Sequence, residues 1–140
     1  MTDLEVLVMN RSAAIAYGYK RHDEKSIVVS INNLDDYPAK IKTSVDNGIV
    51  SVLRLFFDDI DSGSTAMTPD DANKIANFVR FYQHSVDRII VHCEAGVSRS
   101  AGVAAAIMCY LFGGDDIIFN DSKYYPNMHC YRITLHSLLY

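Results

Sequence analysis

Nine consecutive residues, His92-Cys93-Glu94-Ala95-Gly96-Val97-Ser98-Arg99-Ser100, hold the groups in this chain whose types and spacing point to chemistry. A short loop that wraps a tetrahedral dianion must turn its backbone N–H groups inward. A helix starting at the end of the loop adds unsatisfied N–H groups and the positive end of its dipole. Gly96 frees the backbone for the dihedrals such a nest requires, and Arg99 offers a planar fork of donors that grips two phosphate oxygens at once. Cys93 stands at the mouth of this positive field, where a thiolate is a nucleophile at neutral pH. Ser100 is placed to hydrogen-bond that thiolate when it leaves again. The loop N–H groups of Glu94, Ala95, Gly96, Val97, Ser98 and Arg99 are the candidate ligands of a phosphate or other oxyanion. A packed thiol beside a surface Arg, the usual fate of a lone cysteine, would leave the spacing of Gly96, Arg99 and Ser100 unexplained.

Such a loop needs a strand before it and a helix after it. Ile89, Ile90 and Val91 are uncharged and β-branched, which predicts a buried strand ending on His92. Val103, Ala104, Ile107, Met108 and Leu111 give the following helix a broad apolar surface, and Gly113-Gly114 stops it.

HCEAGVSRS resembles the HCxxGxxR(S/T) signature of the cysteine-dependent protein phosphatases, and Ser98 before Arg99 is most similar to their small dual-specificity branch. The match fixes His92, Cys93, Gly96, Arg99 and Ser100 and falls between a predicted strand and helix, the context that gives such a motif weight. The resemblance implies a phosphocysteine intermediate, no metal or organic cofactor, and a His92 that orders the loop by hydrogen bonding. It also implies a general acid, an Asp on a loop that follows a strand upstream of the Cys. Asp58, Asp59 and Asp61 stand 35, 34 and 32 residues before Cys93, so spacing does not choose among them. Aligning Leu53, Leu55 and Phe57 with the family's strand favours Asp59, with Asp61 as the alternative. Aspartates after a strand also commonly do no more than form a turn.

The rest of the chain predicts the scaffold. Leu4–Met9, Ser26–Ile31 and Ile49–Phe57 read as further strands, and Asn10 caps a short helix ending near Gly18. Thr68-Pro69-Asp70-Asp71 opens another helix, with Ile75, Phe78, Val79 and Tyr82 on its inner face. Asn127 caps a last one carrying Ile133, Leu135, Leu138 and Leu139. Arg11 and the Lys20, Arg21, Lys25 cluster read as solvated loop charges outside the site. The expected architecture is α/β: a central, mainly parallel sheet of about four to five strands flanked by helices, similar to the three-layer fold of the protein tyrosine phosphatases. The phosphate loop then lies at the carboxyl end of the central strand.

Length and composition bound the partners. At 140 residues, 49% hydrophobic and 21% charged, the chain is expected to form one domain, 1–140, with a real core. No leader or bilayer-spanning stretch is apparent, so a soluble, unprocessed protein is expected. Cys93, Cys109 and Cys130 have no metal-like spacing, and a reducing cytoplasm suits them. The sequence leaves open a disulfide between Cys109 and Cys93 on oxidation. A net charge of −4 argues against nucleic acid and anionic membrane as partners. The loop residues Glu94, Ala95, Val97 and Ser98 lack the lysines that inositol-phosphate and phosphoinositide phosphatases of the superfamily place there. A phosphorylated protein or peptide is therefore the expected substrate, as phosphotyrosine, with phosphoserine and phosphothreonine left open. The competing readings are a non-catalytic phosphopeptide-binding module and a phosphatase of RNA 5′-triphosphates or of a small phosphorylated metabolite.

Overall fold

The computed structural model describes residues 4–140. Four strands form one sheet: β1 (Glu5–Met9), β2 (Ser26–Asn32), β3 (Ile49–Phe56) and β4 (Arg88–His92). The spatial order is β1-β4-β2-β3 and all three pairings are parallel. β4 is therefore an inner strand, in register with β1 from Glu5↔Arg88 to Met9↔His92 and with β2 from Ser26↔Arg88 to Ser30↔His92. Its uninterrupted Ile89-Ile90-Val91 run follows from that position, because an inner parallel strand is covered on both faces and has no polar side to show.

Each face has its own core. Ile27, Val29, Ile31, Ile89 and Val91 point into the larger one, where they meet α2 (Pro69–Tyr82), α3 (Arg99–Phe112) and α5 (Met128–Leu139). Val28 and Ile90 point the other way, onto Ala14 of α1 (Arg11–Gly18) and onto Ala39 and Ile41 of the β2–β3 connection. The alternation is the two-residue repeat of a strand. A one-turn helix, α4 (Asp116–Phe119), lies between α3 and α5 in the chain and has no counterpart in the sequence reading.

The caps follow from local chemistry. Asn10 Oδ1 accepts from Ala13 N–H at 2.7 Å and starts α1 immediately after β1. Thr68 and Asp71 form a reciprocal capping box on α2, with Thr68 Oγ1 accepting from Asp71 N–H and Asp71 Oδ2 accepting from Thr68 N–H. Gly113 ends α3 at φ +75°, in the left-handed region that costs glycine nothing.

α3 carries the site and is buried from Arg99 to Met108 without interruption, held between the sheet and α5. Its approach to α5 depends on Gly102, where an added Cβ would lie 2.5 Å from Asn127 O and 3.3 Å from Cys130 Cβ. Because Asn127 O is backbone at the start of α5, a methyl there must push the two helices apart. Gly102→Ala is predicted to lower unfolding free energy by about 1–3 kcal/mol, the usual cost of overpacking. Urea denaturation measures it, and an unchanged midpoint would contradict this packing.

Candidate active site

The loop between β4 and α3 is shaped by its neighbours. Gly96 has φ +70°, and a Cβ on it would lie 2.7 Å from Asn10 N and 2.8 Å from Met9 C, both backbone atoms at the β1–α1 junction. Three loop carbonyls are turned outward: Glu94 O accepts from Arg11 N–H at 3.1 Å, Val97 O from Tyr125 N–H at 2.9 Å and Ser98 O from Asn127 N–H at 3.0 Å. In a planar trans peptide the C=O and the following N–H point in opposite directions. The N–H groups of Ala95, Ser98 and Arg99 are therefore directed to the inner side of the loop.

Cys93 lies at the start of the loop, buried, with Sγ 3.0 Å from Ser100 Oγ in the first turn of α3. Arg99 is only 5% exposed. Its Nη1 donates to Phe57 O at 2.8 Å, just past β3, whereas its buried Nε meets no acceptor among the described residues. His92 is fully buried below the loop. Its Nδ1 lies 3.2 Å from Cys93 O, which can only accept, so Nδ1 carries the proton and Nε2 accepts from Ser30 Oγ at 2.6 Å. Asn32 donates in turn to Ser30 O, Ser30 Oγ and Leu55 O. Burial above all, with smaller contributions from the charges of Arg11 and Arg99, holds the His92 pKa below its ordinary 6.5 despite the opposing bond to Cys93 O. The ring is a neutral strut.

The three aspartates have different surroundings. Asp58 faces away from the loop, its Oδ1 accepting from Leu34 N–H at 3.2 Å and its own N–H bonded to Thr65 O. Asp59 faces the loop: Oδ1 accepts from Ser98 Oγ at 2.8 Å and from Asn127 Nδ2 at 3.0 Å. Asp61, among the described residues, meets only its neighbour Ser62, at 3.5 Å. Asp59, Asp61 and Ser98 line a cavity of about 660 Å³ together with Tyr125, His129 and Arg132.

The structure thus brings Cys93, Ser100, Arg99, His92, the loop and Asp59 into one place, with Asp61 on the cavity rim. It adds residues the sequence reading did not assign. Asn127, expected only to cap α5, does so through Oδ1 to Cys130 N–H and also holds Asp59, Ile60 O and Ser98 O. Arg11, set aside as a solvated charge, donates to Asn32 Oδ1 and Tyr37 O while its N–H holds Glu94 O. Partners 62 to 68 residues apart, such as Ser30 with His92 and Asp59 with Asn127, leave no local signature. Of these residues the sequence singled out Asn127 alone as a structural cap. Cys109 is remote from Cys93. It stands nine residues along α3 from Ser100, roughly 14 Å at 1.5 Å per residue, too far to bridge to Cys93 in the folded chain. Cys130 is fully buried, and burial with the nearby Asp59 charge pushes its thiol up to about 12, so it packs as an apolar group.

A family profile described as the Rit1 DUSP-like domain matches residues 64–134. No curated protein matches the chain. Among solved structures, human DUSP28 superposes with a TM-score of 0.64 at 14% identity, covering 96% of this chain and 91% of that one. A human tyrosine phosphatase-like serine/threonine/tyrosine-interacting protein gives 0.62 at 17% identity, with 96% and 88% covered. The Yvh1 phosphatase domain from Chaetomium thermophilum gives 0.56 at 18%, with 97% and 90% covered. At these identities the likeness is one of fold: four parallel strands flanked by helices.

The buried neutral His92 makes stability depend on pH. Below about pH 6.5 the unfolded chain binds a proton at this position and the folded chain does not, so stability falls as pH falls from 6.5 toward the lower folded pKa. Denaturant unfolding at pH 7.5 and 5.5 is predicted to show a smaller loss for His92→Asn than for the unsubstituted chain. Equal losses would contradict a neutral His92.

Proposed function

The chain belongs to the Rit1 DUSP-like domain family, and from the geometry of its site we propose that it hydrolyses phosphomonoesters through a phosphocysteine, with phosphotyrosine in proteins or peptides as substrate. The observation that carries this reading is the buried Arg99 guanidinium beside Cys93, tied by Nη1 to Phe57 O and with Nε unmatched by any described protein acceptor. A buried donor of a charged group needs a partner. A phosphate oxygen held in the loop supplies it in kind.

In the first step the Cys93 thiolate attacks phosphorus and the bond from phosphorus to the ester oxygen breaks. The leaving oxygen takes the proton of Asp59. Both donors to Asp59, from Ser98 and Asn127, converge on Oδ1, which leaves Oδ2 to carry that proton. Arg99 and the inward N–H groups of the loop hold the non-bridging oxygens and stabilise the charge that grows on them. In the second step the Asp59 carboxylate removes a proton from water, the water oxygen attacks the phosphocysteine, and the sulfur–phosphorus bond breaks to release phosphate. Ser100 Oγ, 3.0 Å from Sγ, stabilises the departing thiolate. His92 takes no proton and fixes the Cys93 carbonyl.

Tyr125, Pro126 and Met128 give the adjoining cavity apolar surface for a phosphotyrosyl ring. The loop places no lysine to match a headgroup bearing several phosphates, which favours phosphoprotein. One structure of similar fold is a phosphatase-like interacting protein, so a binding module is the second reading. The joint presence of Cys93, Arg99, Ser100 and a positioned Asp59 favours turnover.

Cys93→Ser is predicted to abolish hydrolysis of p-nitrophenyl phosphate and to leave the loop able to bind inorganic phosphate; full retained activity would sink the mechanism. Phenyl phosphate, whose leaving group needs the proton more, separates the acids. Asp59→Asn is predicted to lower kcat by about 10²-fold or more and to remove the basic limb of the pH profile, while Asp61→Asn keeps both near those of the unsubstituted chain. The reverse pattern would move the acid to Asp61.

A further inference from the structure

β3 is the outer strand in the order β1-β4-β2-β3. Phe57 N–H donates to Asn32 O, and Leu55 O accepts from Asn32 Nδ2, so these residues turn their backbone groups toward β2. With the two-residue repeat of a strand, the N–H and C=O groups of Val52, Arg54 and Phe56 face away from the sheet. Among the described residues, none of those six groups has a partner beyond the strand.

Two cavities of about 520 Å³ each adjoin β3, one at Val50–Arg54 and one at its start, and share Thr43 and Val50. Lys42 and Arg54 line the first, and Lys25 the second; no carboxylate lines either. The Lys25 and Lys42 ammonium groups make no ion pair among the described residues, and Arg54 gives one donor to Ile41 O. This is a local excess of positive charge on a chain whose remaining ten basic residues are set against 17 acidic ones. Val50 and Phe56 are 43% and 37% exposed on the same strand, giving it partly apolar grip.

We propose that the outer edge of β3 binds an extended, acidic peptide segment of a partner protein by strand addition. Strand addition supplies main-chain hydrogen bonds for affinity and side-chain contacts for selectivity. Here the edge offers three N–H and three C=O groups, and a peptide backbone matches both kinds. A single-stranded nucleic acid would meet the cations, but its phosphates only accept and leave the three carbonyls facing a polyanion. A second copy of this chain, pairing β3 with β3, would set Lys25, Lys42 and Arg54 against their own like charges. The inference does not rest on turnover at Cys93.

The test is fluorescence anisotropy with a labelled short peptide alternating Glu and Val, its Lys-Val counterpart, and an oligouridylate of similar length. The Glu-Val peptide is predicted to bind and to slow amide exchange at Val52, Arg54 and Phe56, and the Lys-Val peptide is predicted not to bind. Val52→Pro removes an outward N–H without touching the ladder to β2, and edge strands tolerate proline. That variant, and separately Lys25→Glu with Lys42→Glu, is predicted to weaken binding about tenfold or more, a change on the order of two exposed ion pairs or one lost ladder bond. The thermal unfolding midpoint of the charge-reversed variant stays unchanged. Absence of Glu-Val binding, equal binding of the Lys-Val peptide or the oligouridylate, or binding unaffected by charge reversal without slowed exchange at the three amides would overturn the proposal.

Discussion

A guanidinium taken out of water at the first turn of a buried helix is the constraint from which the rest of this structure follows. α3 is buried over its first ten residues, so Arg99 cannot reach solvent and must find acceptors where it lies. One is Phe57 O, and that bond fixes the end of β3 against the β4–α3 loop. The chain leaves β3 at that point to form the Asp58–Asp61 segment. A single charged side chain therefore ties the loop to the segment that carries the candidate acid.

The supports around it are shared. Asn127 starts α5, donates its N–H to Ser98 O at the turn of the loop and holds Asp59 through its side-chain amide. Gly102 sits against the carbonyl of that same residue, so helix packing and acid placement are set together. On the other side Gly96 presses on the β1–α1 junction, and the chain from Asn32 through Ser30 to His92 fixes the carbonyl of Cys93. Precision of this kind comes from groups locked by packing and hydrogen bonds.

The elements that position the loop were legible because their signals are local. A β-branched run, a Thr-Pro pair before acids and an Asn before an apolar helix each carry their own physics, and the strands and long helices fall where those signals stand. The loop was legible because its chemistry is packed into nine residues. Long-range polar partners were not legible. Which aspartate faces the loop depends on whether Leu34 N–H or Ser98 Oγ lies nearby, and no spacing within Asp58–Asp61 encodes that. Arg11 misled for the same reason: beside a loop it reads as solvated, and only the fold brings Glu94 O, Asn32 and Tyr37 to it. α4 escaped because a single turn has too few residues to show a helical period.

In the proposed mechanism the thiolate of Cys93 carries the phosphoryl group between two steps. Rapid acid quench during turnover of a phosphotyrosyl peptide, followed by peptide mass spectrometry, tests it directly. A phosphoryl group is predicted on the peptide containing Cys93, bound to sulfur, formed and lost at rates that match turnover. A phosphoryl group on His92 or another residue, or turnover of p-nitrophenyl phosphate, whose leaving group needs little protonation, with no phosphoenzyme when Asp59→Asn slows the second step, would contradict it.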